Sequence, residues 1–191
     1  MNRKFFALLL TLLMVLALVP ASAYADTSKN SGKEIAVLFT NDVHCAVDKN
    51  LGYQSVALAK ETLEAQGKDV LLVDVGDAVQ GDAIGTLSKG EYIIKIMNEL
   101  GYDVATIGNH EFDYGMDQFK KLNRLADFPY VSANFMDKNG ETVLDAYSMQ
   151  NVHGVKIAFV GITTPKTITS STPAYFQNEK GEWIFSFCQD E

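Results

Sequence analysis

Cysteine, proline, tryptophan and histidine are all scarce in this 191-residue chain. Two cysteines, Cys45 and Cys188, exclude a disulfide-stapled scaffold and leave open either one long-range bridge or two free thiols. Four prolines beside 14 glycines exclude a collagen-like or low-complexity chain. Bases are outnumbered, 16 against 24 acids, for a formal net charge of −8. Setting aside the first 25 residues, which hold Arg3 and Lys4 and no acid, takes the bases to 14 and the net charge to −10. A chain that acidic is not built to neutralise a nucleic-acid backbone, so no nucleic-acid polymer is expected as a partner. Three nucleotide and nucleophile signatures are missing too. Gly76, Gly81 and Gly85 follow G-x4-G-x3-G rather than the dinucleotide fingerprint, no Gly-Lys-Ser/Thr follows, and no G-x-S-x-G occurs. What is present is 47% hydrophobic residues and 10% aromatics, enough to give one ordinary domain a core and to exclude wholesale disorder.

The N-terminus reads as a secretory signal peptide over residues 1–25. Arg3 and Lys4 form a basic start, Phe5 to Val19 is apolar apart from Thr11, Pro20 breaks the run, and Ala23-Tyr24-Ala25 offers a small-x-small cleavage site. The run is short for a membrane span of about 20 residues. A secreted, periplasmic or cell-surface protein without a stable membrane span is therefore expected. Residues 26–33 are polar and read as a loose tail, and residues 34–191 as the folded part.

That part alternates strand-like and helix-like segments. Apolar runs at 34–40, 69–75, 103–107 and 129–133 predict strands. Helices are predicted at 53–66, at 91–100 with Ile93, Ile96, Met97 and Leu100 on one face, and at 116–126 with Phe119, Leu122 and Leu125 together. The order predicts a mainly parallel sheet with helices packed on it. Segments 76–90 and 163–172 read as loops. Segments 146–151 and 155–162 read as a hairpin turning at His153-Gly154, and 175–187 as an aromatic strand or short lid.

Three predicted strands end in polar clusters: Thr40-Asn41-Asp42-Val43-His44, Asp74-Val75-Gly76-Asp77, and Gly108-Asn109-His110-Glu111-Phe112-Asp113. In a parallel sheet these ends share one edge, where open α/β sheets place their sites. Asp-x-His at a strand end points both side chains the same way through the two-residue period. Carboxylate with imidazole suits Zn, Mn, Fe, Co or Ni rather than an all-oxygen calcium site. Asp77 has two oxygens with which to bridge two such ions, and Asn109 offers a carbonyl oxygen. Gly76 and Gly108 allow close backbone approach. Each cluster alone has a bland reading as turn or cap; their conjunction, holding two of the three histidines, favours a metal site. Asp82 reads as a solvated loop acid, His153 as an exposed turn residue, Cys45 as a small buried hydrophobe, and the 183–187 aromatics as core.

TNDVH, DVGDAVQG and GNHEFDYG, in this order, resemble the calcineurin-like metallophosphoesterases, and within them the secreted 5'-nucleotidases and 2',3'-cyclic-nucleotide phosphodiesterases. The resemblance implies an α/β fold, a β-sandwich flanked by helices in α-β-β-α layers. It implies that Asp42 and His44 bind one of two divalent cations (Zn, Mn, Co or similar), that Asp77 bridges both, and that Asn109 binds the second and touches the phosphate. His110 would sit over the phosphate, oriented by Asp113 as a catalytic His–Asp dyad, while a metal-bound hydroxide attacks phosphorus in line. The implied reaction is hydrolysis of nucleotide phosphomonoesters, with cyclic phosphodiesters as a further class. Val79-Gln80-Gly81 stands where the protein phosphatases carry Asp-Arg-Gly, which disfavours that branch. The family's downstream Gly-His and Gly-His-x-His motifs are not matched, since no histidine follows His153. The expectation is therefore an N-terminal part of the metallophosphoesterase domain, truncated at its C-terminal side, with the second metal site incomplete and little or no activity of its own. Two alternatives stay open: an exported non-catalytic binding protein with a partial metal site, and a sulfur-ester or sugar-nucleotide hydrolase on the same scaffold.

Overall fold

The computed structural model describes residues 32 and 34–188. The expected signal peptide lies outside the described residues. Four parallel strands form the central sheet: β1 (Ile35–Thr40), β2 (Asp69–Asp74), β3 (Val104–Thr106) and β4 (Tyr130–Val131), in that spatial order. Thr40 pairs with Asp74, Asp74 with Ala105, and Thr106 with Val131. The carboxyl ends of the first three strands are thus level, and the loops after them leave from one edge.

Helices α1 (Tyr53–Ala65), α3 (Glu91–Leu100) and α4 (Met116–Leu125) follow the expected periodicities, and Gly101 in a left-handed conformation ends α3. The period of two then sorts the strand side chains. Leu38, Leu72 and Asp74 face the helical side, where Leu72 is wholly buried and Leu38 packs on the core. On the opposite face Val37 and Phe39 are 49% and 67% exposed.

Part of the core is a cluster of aromatic rings. Phe112 is fully buried, with its ring centroid 4.9 Å from Phe119, 5.4 Å from Phe135 and 5.0 Å from Phe176. Phe135 stacks on Phe187 at 4.9 Å. This cluster is assembled by an element not foreseen from sequence, strand β5 (Phe135–Asp137), too short to show a period. β5 pairs antiparallel with β8 (Phe185–Phe187). The expected hairpin is present as β6 (Tyr147–Val152) and β7 (Val155–Val160), turning at His153 and Gly154, both at positive φ.

Four expectations are corrected. Segment 76–90 is not all loop: α2 (Ala83–Ser88) forms inside it, with the Asp82 carboxylate accepting the Ala83 N–H as its cap. Asp82, which also pairs with Lys49 at 2.6 Å, is a capping residue rather than merely a solvated acid. Segment 163–172 contains the single turn α5 (Thr167–Ser170), and a 3-10 turn follows at Pro173–Phe176. Of the 183–187 aromatics, Phe187 is core, but Trp183 is 53% exposed. Both cysteines are free thiols, Cys45 buried and Cys188 exposed. Burial pushes the Cys45 thiol up to about 11, so it is inert at neutral pH, in keeping with a small buried hydrophobe.

Candidate metal centre

Asp42 and His44 do come together, but not by strand alternation. β1 ends at Thr40, and Asp42, His44 and Cys45 all sit at positive φ (52°, 47° and 62°). The turn, not the pleat, brings His44 Nε2 to 3.7 Å from Asp42 Oδ1. Its other nitrogen, Nδ1, lies 3.0 Å from the Gln80 carbonyl. A carbonyl only accepts, so Nδ1 carries the hydrogen and Nε2 keeps its lone pair toward the centre. The Asn41 side-chain amide donates to Asp42.

The second loop supports the first. The carbonyls of Gly76, Asp77 and Ala78 accept the N–H groups of Asp42, His44 and Cys45 at 3.1, 3.1 and 3.0 Å. Asp77 itself lies at φ 59°, a conformation that aspartate tolerates better than most residues. Gly76 and Gly108 are required by proximity. A Cβ on Gly76 would lie 2.5 Å from the Gly108 nitrogen, and one on Gly108 would lie 2.3 Å from Asp77 Oδ1.

The third loop closes the site. Asp77 Oδ1 accepts the His110 backbone N–H at 2.7 Å, at the start of the 3-10 turn His110–Phe112. His110 Nδ1 is 2.6 Å from Asp113 Oδ2, which leaves Nε2 as the working nitrogen. Burial alone would lower the His110 pKa. The hydrogen bond and charge of Asp113, with the charges of Asp77 and Glu111, reverse that and hold it above the ordinary histidine value. The His44 and His110 rings lie edge to face with centroids 4.9 Å apart. Asn109, half-buried, precedes that turn as its N-terminal cap.

The donor atoms of His44, Asp77 and His110 lie within 4.8 Å of one another. Zinc bonds of about 2.0–2.2 Å to nitrogen and oxygen put two donors on one ion at most about 4.4 Å apart. The three groups thus meet in a space close to the size of a cation centre, and the imidazole of His44 with the carboxylate of Asp77 supplies donors that fit a transition-type divalent ion. Asp42 adds a second carboxylate through its 3.7 Å approach to His44. His153 stays away, at the far turn of the hairpin, and pairs with Asp69 at 2.9 Å.

Two buried acids escaped the sequence reading. Asp74 is wholly buried, accepting the Thr40 hydroxyl at 2.7 Å and the Gly76 N–H at 3.0 Å. Glu111, 1% exposed, accepts three backbone N–H groups, those of Asp77, Ala78 and Gly108. Asp74 left a signal, an acid two residues after Leu72 on the inward side of an apolar strand. Glu111 left none.

Burial, with the Glu111 charge adding to it, pushes Asp74 up to about 7. Its proton is held more tightly folded than unfolded. The associated stability is therefore full below about pH 4 and is lost as pH rises toward 7. Asp74→Asn is expected to remove that loss. Urea denaturation at pH 5 and pH 8 should show a smaller drop in stability for the variant than for the parent chain. An equal drop in both would contradict the assignment.

A carboxylate–imidazole centre on the carboxyl edge of a parallel sheet places the chain in an α/β class defined by its site as well as its fold. The comparisons with known proteins narrow this further. Residues 35–186 match the calcineurin-like phosphoesterase family, and the chain belongs to that family. It is 36% identical over 151 residues to a 5'-nucleotidase of Vibrio vulnificus, covering 74% of this chain and 27% of that protein. The chain thus spans little more than a quarter of that relative's length. Among solved structures it resembles the calcineurin-like phosphoesterase YfkN of Bacillus subtilis, with TM-score 0.66, 28% identity, and coverage of 80% of this chain and 53% of that one. It also resembles the NAD nucleotidase of Haemophilus influenzae, with TM-score 0.67, 26% identity, and coverage of 82% and 30%. Among the described residues no helix is long and apolar enough to cross a membrane.

Proposed function

We propose that this chain is the N-terminal part of the catalytic domain of an exported, metal-dependent phosphoesterase of the 5'-nucleotidase type. Residues 1–25 act as its export signal, and its substrates are nucleotide phosphomonoesters, with cyclic phosphodiesters as a second class. The observation that carries this reading is the convergence of His44, Asp77 and His110 within 4.8 Å at the ends of three different strands. The similarity to proteins named 5'-nucleotidase and NAD nucleotidase supports the nucleotide class.

Asp42, His44 and Asp77 would hold one divalent cation, and Asp77 with Asn109 would begin the set for a second. Such cations supply Lewis acidity toward a phosphoryl oxygen and lower the pKa of water. Asn109 and His110 orient the phosphoryl group. The contact of His110 Nδ1 with Asp113 at 2.6 Å favours the protonated ring, so that Nε2 can present a proton to developing negative charge. Fixing Nδ1 keeps the ring from turning its proton away. The test is metal-dependent release of phosphate from AMP and from an aryl phosphate by the full-length gene product. Release that is abolished by chelation and restored by Mn2+, Zn2+ or Co2+ is expected; no release under any of these ions would overturn the proposal.

A further inference from the structure

We infer that Glu111 is a positioning residue for the metal centre: its buried carboxylate clamps the loop of Asp77 to the loop of Asn109 and His110 through three backbone amides. The inference rests on the metal-centre reading above. Oε2 accepts the Asp77 N–H at 2.9 Å and the Gly108 N–H at 2.6 Å, and Oε1 accepts the Ala78 N–H at 2.9 Å. Asp77 answers in the other direction, its Oδ1 accepting the His110 N–H at 2.7 Å. The two loops are thus cross-linked reciprocally, side chain to backbone each way, as the two residues of a capping box are within one helix.

The arrangement accounts for the whole backbone of 76–78. Its three N–H groups go to Asp74 and Glu111, and its three carbonyls receive the N–H groups of Asp42, His44 and Cys45. This segment is the keystone between the first and third loops. A carboxylate is needed because amides converge on both of its oxygens. Glutamine would turn an NH2 group toward at least one amide N–H, donor against donor, and leave that amide unsatisfied. Asp74 makes a weaker demand. One oxygen meets Gly76 N–H and the other a hydroxyl that can reverse its role, so asparagine satisfies both.

The experiment compares the parent chain, Glu111→Gln and Asp74→Asn by Mn2+ and Zn2+ titration calorimetry and by residue-resolved amide hydrogen exchange without metal. The parent amides of Asp77, Ala78 and Gly108 are expected to exchange at least about tenfold more slowly than exposed loop amides without a hydrogen-bond partner. In Glu111→Gln these three should speed up by about tenfold or more while β1 and β2 stay protected. Its metal affinity should fall by about 10- to 100-fold, and Asp74→Asn should stay within about threefold of the parent. If Glu111→Gln does not fold, the parent exchange rates decide. Fast exchange at those three amides in the parent, or unchanged metal affinity in a folded Glu111→Gln, overturns the clamp. A parent chain that binds no metal but protects these amides leaves the clamp as geometry and defeats the metal-centre reading instead.

Discussion

Asp77→Asn is expected to lower the affinity of the chain for divalent cations by at least about 100-fold while leaving it folded, since loss of an outer-sphere partner alone costs about 10–100-fold. Asp77 is at the centre of the donor set, and its charge is what an ion desolvating into this half-buried edge needs. Asparagine keeps the shape, tolerates the left-handed backbone at φ 59°, and offers an oxygen to the His110 N–H. The variant therefore removes charge and little else. Asp77→Ala goes further. It loses the His110 bond and places alanine in a conformation that costs roughly 1–2 kcal/mol for such a residue. Its metal-free stability should fall as well, by a similar amount. Calorimetric titration and urea denaturation read the two effects separately. A folded Asp77→Asn with parental metal affinity would remove Asp77 from the ligand set.

Phe112→Ala is expected to be the most destabilising single change near the site, by about 3–5 kcal/mol. The ring has no exposure and lies within about 6 Å of four other phenylalanine rings, from Phe119, Phe135, Phe176 and Phe187. It also roots the turn that bears His110 and Asp113. Against a total stability of about 5–15 kcal/mol, the loss is a large fraction of the whole. Phe112→Leu, which refills much of the volume, should recover most of it. Urea midpoints at one pH measure this, and a loss under about 1 kcal/mol for the alanine variant would show that the ring cluster is not tightly packed.

Much of this arrangement could be read from the residues. Long apolar runs at 34–40 and 69–75 marked buried parallel strands, and the acids, amides and histidines after them could only be loop groups at one edge. That topology alone predicts the convergence of Asp42, His44, Asp77 and His110. What stayed hidden depends on contacts between distant segments. α2 was masked by the glycines and aspartates around it, because its cap, Asp82, looks the same in a loop. β5 becomes a strand only through its pairing with β8. The turn that joins Asp42 to His44 needs carbonyls from 76–78, 33 or 34 residues away in sequence, to hold three positive-φ residues in place. Glu111 is the clearest case. A glutamate beside a histidine reads as a surface acid until the three amides that surround it are known.

If three strand-end loops make one divalent-cation centre, the chain's own histidines report on it. The most direct measurement is the NMR spectrum of the imidazole groups of His44, His110 and His153 during a Zn2+ titration. Saturable shifts at His44, with smaller ones at His110 and none at His153, are the predicted result. A spectrum in which His44 does not respond, or in which His153 responds first, would contradict it.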